Sequence, residues 1–179
     1  YTLAPASGQL FGPRFGLAED VSITPRWNIA PTTQVPVVSR REGRNELAWM
    51  HWGLVPHWAK SPEEVGAKMI NARAETLTER PSYRGLIAGN RCLVPADGFY
   101  EWQARPEGPK QPWFFFEPGR EVFSIAGLWT SWRPRPDVEP LESVTIITTE
   151  PNGTVAPVHK RMPAILERDA EETWLCLLY

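Results

Sequence analysis

Nineteen prolines and thirteen glycines in 179 residues divide this chain into pieces too short for long helices, and no repeat or long linker joins them. Between the breaks lie six runs rich in β-branched and aromatic residues: TQVPVVSR (33–40), ELAWMHWGLV (46–55), RCLVPADGFYEW (91–102), PWFFFE (112–117), EVFSIAGLW (121–129) and SVTIITT (143–149). Each is bounded by Pro, Gly or charge and reads as a strand. Helices are expected to be few. RPSYRGLIAGN (80–90) has a weak helical period, and RDAEETWLCLL (168–178) opens with Asp169 followed three residues on by Glu172, like a capping box. The expectation is therefore an α+β chain: a β-rich single domain over residues 1–179, with strongly bent antiparallel sheets forming a partly closed barrel and a few flanking helices.

Composition removes several classes. At 42% apolar residues and without an 18-residue apolar run, the chain can bury one good core and is not expected to enter a membrane. The formal net charge of −2 excludes a uniformly basic surface. Only Lys60, Lys68, Lys110 and Lys160 are lysines among the 19 basic residues; an arginine-heavy set suits a local phosphate-binding cleft, and composition bias produces the same excess. Cys92 and Cys176 match no disulfide or metal spacing, and the start has no signal-peptide pattern, so the expected compartment is a reducing cytoplasm. No metal and no cofactor is expected. Tyr1 is not an initiator Met and WLCLLY ends without a cap, so residues are expected to be missing at both ends.

Nine tryptophans are many for such a chain. Trp27, Trp52, Trp58 and Trp102 sit beside turns, where they either fill the core or offer stacking platforms to unpaired bases. Certain polar residues stand in apolar or turn-like settings: Asn28 in PRWNIAPT, Asn71 and Arg73 in MINARAET, Glu101 in GFYEW, His159 and Arg161 in APVHKRMPAIL. A cap, an Asx turn or a surface ion pair explains any one of them. Glu101 is the hardest to explain so. If 98–102 is a strand, alternation puts it on the face of Phe99 and opposite Tyr100 and Trp102, so one face holds a carboxylate and a ring. A partly desolvated carboxyl holds its proton closer to neutral pH, and His159 is a natural acid/base companion. His51 and His57 read as structural or surface residues.

Taken together and in order, RWNIAPT, WGLVPHWAK, INARAET, CLVPADGFYEW and VHKRMPAIL resemble the SOS response-associated peptidase (SRAP) family, the abasic-site processing proteins, from Tyr1 to about Trp174. The resemblance implies a protein that binds single-stranded DNA carrying abasic sites and crosslinks to them through an N-terminal cysteine, as a monomer without cofactor. An AP lyase reaction and self-removal of the initiator Met are implied alongside. By the same resemblance Asn71, Glu101 and His159 are the catalytic residues. Asn28, Arg73, Thr148 and Arg161 hold sugar-phosphate, and Pro31, Trp58 and Met162 form a wedge against exposed bases. Arg80 and Arg84 are further phosphate candidates. The family begins Met-Cys-Gly-Arg before an aromatic residue, and this chain begins at that aromatic, Tyr1, so the nucleophile lies outside these residues. Two other readings stay open: a non-covalent single-strand-binding module, and a general protease, for which no Ser-His-Asp or Cys-His set is present.

Overall fold

The computed structural model describes residues 1–5 and 10–176. In chain order the elements are α1 (Phe11–Phe15), β1 (Gln34–Arg41), β2 (Arg44–Trp52), α2 (Pro62–Val65), β3 (Asn71–Arg73), α3 (Pro81–Arg84), β4 (Arg91–Ala96), β5 (Phe99–Gln103), β6 (Gln111–Phe115), β7 (Phe123–Trp132), β8 (Leu141–Thr149), β9 (Met162–Pro163), β10 (Ile165–Leu166) and α4 (Arg168–Cys176). The six sequence runs all become strands, and RCLVPADGFYEW becomes two.

β1 and β2 form a hairpin closed by Glu42 and Gly43, both at positive φ (48° and 79°). That is the two-residue turn whose twist matches paired strands. β4 pairs with β1 on one side and β7 on the other, and β7 pairs with β8. β8 then runs parallel to β2, with His51 opposite Ser143 and Trp52 opposite Val144. The path β1–β2–β8–β7–β4–β1 is a closed ring of five strands, so no member of the ring is an edge. The barrel is thus fully rather than partly closed, and its closing seam is parallel where an antiparallel sheet was expected. A parallel seam joins strands distant in sequence, which no local pattern marks.

Closure dictates the composition of the ring strands. β4 is buried at all six positions, and Val35, Val37, Val94, Ile125 and Val144 are fully inaccessible. Strands covered on both faces read as continuous apolar runs, as these do. Gly127, opposite Cys92, is needed for close approach: a Cβ there would lie 3.0 Å from Cys92 Sγ and 3.1 Å from the Thr145 carbonyl.

The helices brace the outside. α4 begins at Arg168, with Asp169 inside the first turn and not at the cap. Trp174 Nε1 donates to the Cys92 carbonyl at 3.0 Å, and Arg14 pairs bidentately with Glu171 at 2.7 and 2.6 Å. Only Pro81–Arg84 of the 80–90 segment is α-helical; Leu86 and Ile87 beyond it pack against the cluster around Leu128. β5 and β6 form a separate two-stranded sheet that leaves the barrel directly after Asp97–Gly98.

Candidate functional site

Where β5 peels away, a cavity of about 410 Å³ opens. Its apolar wall comes from barrel strands and their flanks: Trp52, Ile29, Ile70, Ile125 and Ile146. Its polar groups come from the rim. Asn28 and Pro31 are supplied by the segment before β1, Asn71 by β3, Thr148 by β8 and Glu101 by β5. Tyr1 also lines it, its ring edge-on to Trp52 with centroids 5.3 Å apart and its nitrogen donating to the Ile29 carbonyl at 3.2 Å. Alternation on β5 is as the sequence implied. Register pairs Glu101 with Trp113 and Phe99 with Phe115, while Tyr100 and Phe114 occupy the other face.

Glu101 is half-buried, and burial raises its carboxyl above the usual carboxylate range; the cationic form of His159 and the Trp102 backbone N–H offset part of that rise. His159 stands behind Glu101, with Nδ1 3.4 Å from Glu101 Oε2 and 2.9 Å from the Arg161 carbonyl. Two oxygen acceptors on one side favour the proton on Nδ1, which leaves Nε2 as the basic nitrogen. The Arg161 N–H, 3.3 Å from the same Nδ1, fits the other tautomer and is the longer contact.

A second cleft of about 440 Å³ lies beside the first, and Asn71 lines both. Arg73, Arg80, Trp58 and Tyr83 line this second cleft, giving it positive charge and aromatic faces. Arg84 is exposed on α3 and lies outside its lining.

The structure brings Asn28, Pro31, Asn71, Glu101 and Thr148 to one cavity, places His159 against Glu101, and sends Trp58 and Arg73 to the neighbouring cleft. Two residues depart from their expected settings. Met162 is only 8% exposed and packs in the barrel core, with its sulfur 3.2 Å from the Asn152 nitrogen. Arg161 gives its fork to the exposed Glu75 at 2.8 and 3.0 Å and to the Thr148 carbonyl at 2.5 Å, so its donors are occupied by protein partners. The tryptophans divide. Trp52 is a core residue with Nε1 bonded to the Ile70 carbonyl at 2.9 Å, whereas Trp27, Trp58 and Trp102 are 59%, 53% and 50% exposed. Among the described residues no group of three or more His, Cys, Asp or Glu could hold a metal ion, and no helix is long and apolar enough to cross a membrane.

Sequence reasoning passed over Glu75, whose partner is 86 residues away, and Asp97, an acid inside the buried run from Arg91 to Phe99. The apolar flanks of Asp97 were the available signal.

The profile of the SOS response associated peptidase (SRAP) family matches residues 5–177. The chain belongs to the SRAP family. It is 42% identical over 151 residues to the abasic site processing protein YoqW of Bacillus subtilis, covering 84% of this chain and 66% of that protein. It is 38% identical to the abasic site processing protein HMCES of Gallus gallus, of which it covers 54%. The chain therefore spans about two thirds of one relative and about half of the other. Two solved structures share the SRAP-like fold: a Bacteroides thetaiotaomicron protein with TM-score 0.74 and 34% identity over 81% of this chain and 63% of that one, and a Bordetella bronchiseptica protein with TM-score 0.77 and 28% identity over 96% and 86%.

Proposed function

We propose that this SRAP protein captures abasic sites in single-stranded DNA as a covalent adduct, through an N-terminal cysteine exposed when the initiator Met is removed. One observation carries the reading: Tyr1, Glu101 and Asn71 line one cavity, with His159 against Glu101, so residues preceding Tyr1 would emerge near an acid/base pair. The names of the relatives, which process abasic sites, supply the substrate.

The chemistry follows from the groups. An abasic deoxyribose is mostly a closed hemiacetal. Opening it needs a proton delivered to the ring oxygen and another removed from the C1′ hydroxyl, and a carboxyl held above its usual range by burial suits the first task. An α-amine, with a pKa of about 7.7–8.0, is partly unprotonated at neutral pH, unlike a lysine near 10.4. It adds to the C1′ aldehyde and expels water to give an imine; the thiol of the same residue adds to that carbon and the proton passes to nitrogen, closing a five-membered thiazolidine. Asn71 orients the amine and sugar, and Asn28 and Thr148 hold the sugar-phosphate. The imine also acidifies C2′, so β-elimination with strand cleavage competes. Arg73 and Arg80, lining the adjoining cleft with Trp58, take flanking phosphates and a base. The protein acts as a monomer, in the cytoplasm.

The test is intact-mass analysis of protein expressed from its natural initiation codon after incubation with an abasic oligonucleotide. The expected product is a denaturant-stable species of protein plus oligonucleotide minus one water, mapped to the first residue. A complex that dissociates in denaturant instead assigns the exposed tryptophans to a non-covalent binding module.

A further inference from the structure

We infer that Asp97 is a positioning residue that clamps the first residues of the chain in register, so that whatever precedes Tyr1 is delivered beside Asn71 and Glu101. The inference rests on the functional reading above for its consequence and on geometry alone for the clamp. Asp97 and Thr2 are both fully buried. The Thr2 hydroxyl donates to Asp97 Oδ1 at 2.5 Å, the Asp97 N–H donates to the Thr2 carbonyl at 3.1 Å, and the Thr2 N–H donates to the Gly98 carbonyl at 2.8 Å. On the other side Leu3 and Arg26 exchange backbone bonds at 2.9 and 2.8 Å, and the Ile29 N–H donates to the Tyr1 carbonyl at 2.8 Å. The chain start is thus held by antiparallel bridges on both sides, to Gly98 and to Arg26.

A buried carboxylate is a costly way to fill such a position, since an apolar residue would need no partner. What the carboxylate adds is a side-chain bond that only one register satisfies. Backbone pairing alone tolerates slippage, and a slip of one residue moves everything upstream by about 3.3 Å, whereas misplacement of a reacting group by about 1 Å can cost about a hundredfold in rate. Arg120 completes the device. Its guanidinium lies 3.4 Å from Asp97 Oδ2 and packs over the rings of Trp27, Phe114 and Phe116 at 5.2, 5.2 and 5.6 Å. Phe114 belongs to β6, the strand paired with β5, so one carboxylate links the chain start to the hairpin that carries Glu101.

The experiment uses the protein expressed from its natural initiation codon and the variants Asp97→Asn, Thr2→Val and Thr2→Ser. Amide hydrogen exchange should show protection at residues 2–3 and 26–29 in the wild type. Asp97→Asn and Thr2→Val should lose it there while β4 and β7 stay protected. In single-turnover reactions with saturating abasic oligonucleotide, both variants should form adduct at least about tenfold more slowly with affinity for the intact single strand unchanged. Thr2→Ser, which keeps the hydroxyl, should restore the rate, and the double variant Thr2→Val/Asp97→Asn should be no slower than the slower single one. Wild-type exchange and rate in Thr2→Val overturn the inference, as does Thr2→Ser behaving like Thr2→Val. If Asp97→Asn fails to fold, the two Thr2 variants decide. If the wild type forms no adduct, the functional reading fails while the exchange comparison still decides the clamp.

Discussion

β4 and β5 are separated by two residues, Asp97 and Gly98, yet they answer to different demands. β4 lies in a closed ring, buried at all six positions and paired on both sides. β5 has one partner, is buried only at Phe99, and carries Glu101 beside an exposed Trp102. The difference teaches where stability and chemistry reside. The ring supplies a buried apolar wall, and the hairpin hung from its rim carries the half-buried Glu101 into the cavity.

The largest effect that could break this contrast is on stability. Leu93→Ala in β4, where the side chain is buried, should cost about 2–5 kcal/mol by urea denaturation, whereas Trp113→Ala on β6, nearly half exposed, should cost less than about 2 kcal/mol. Equal losses would mean that the hairpin is structural to the same degree as the ring. The joint itself comes next. A Cβ at Gly98 would lie 2.2 Å from Phe114 Cζ and 2.9 Å from the Phe115 carbonyl, so Gly98→Ala should push the hairpin outward at a cost of about 1–3 kcal/mol and slow any reaction that depends on Glu101. Gly85, at φ −77° with nothing within 4 Å of an added Cβ, is the control, and Gly85→Ala should be neutral or stabilising by up to about 1 kcal/mol.

Much of the ring and part of the site were legible in the sequence, for identifiable reasons. The ring strands β1, β4, β7 and β8 declared themselves because burial on two faces demands unbroken β-branched and aromatic runs. Glu101 declared itself because a period of two set a carboxylate on the face of Phe99. The parallel seam between β2 and β8 left no local trace, and the three residues of β3 are too few to show any period, so only the family resemblance singled out Asn71 as catalytic. Only the family resemblance places Met162 in a wedge, and pairing of β9 with β8 sets it in the core. Arg161 looked available to phosphate because its partner, Glu75, is close only after folding.

That pairing offers a third, smaller test, beside His159. Glu75→Gln removes the carboxylate that occupies the Arg161 fork, so affinity for a single-stranded oligonucleotide should rise severalfold and the salt dependence should steepen by about one phosphate contact. An unchanged salt slope would show that Arg161 stays turned inward even without its partner. The smallest expected effect concerns Glu101 and stability. Burial raises its folded pKa, so the folded protein holds a proton through a range where the unfolded chain has lost it. The ionised carboxylate therefore costs stability above the folded pKa and nothing below the ordinary carboxylate range. Glu101→Gln should raise Tm slightly at neutral pH, with the gain vanishing as pH falls through that range; a gain independent of pH would point to packing instead.

The chemistry assigned to the hairpin is tested most directly by the rate at which protein carrying its natural N-terminus becomes crosslinked to a saturating abasic single strand. Glu101→Gln keeps the shape of the side chain and removes its proton, so adduct formation should slow by roughly 10²–10⁴-fold while binding to the strand is retained. Crosslinking at the wild-type rate in that variant would contradict the role of Glu101 as the proton donor and leave it a structural member of β5.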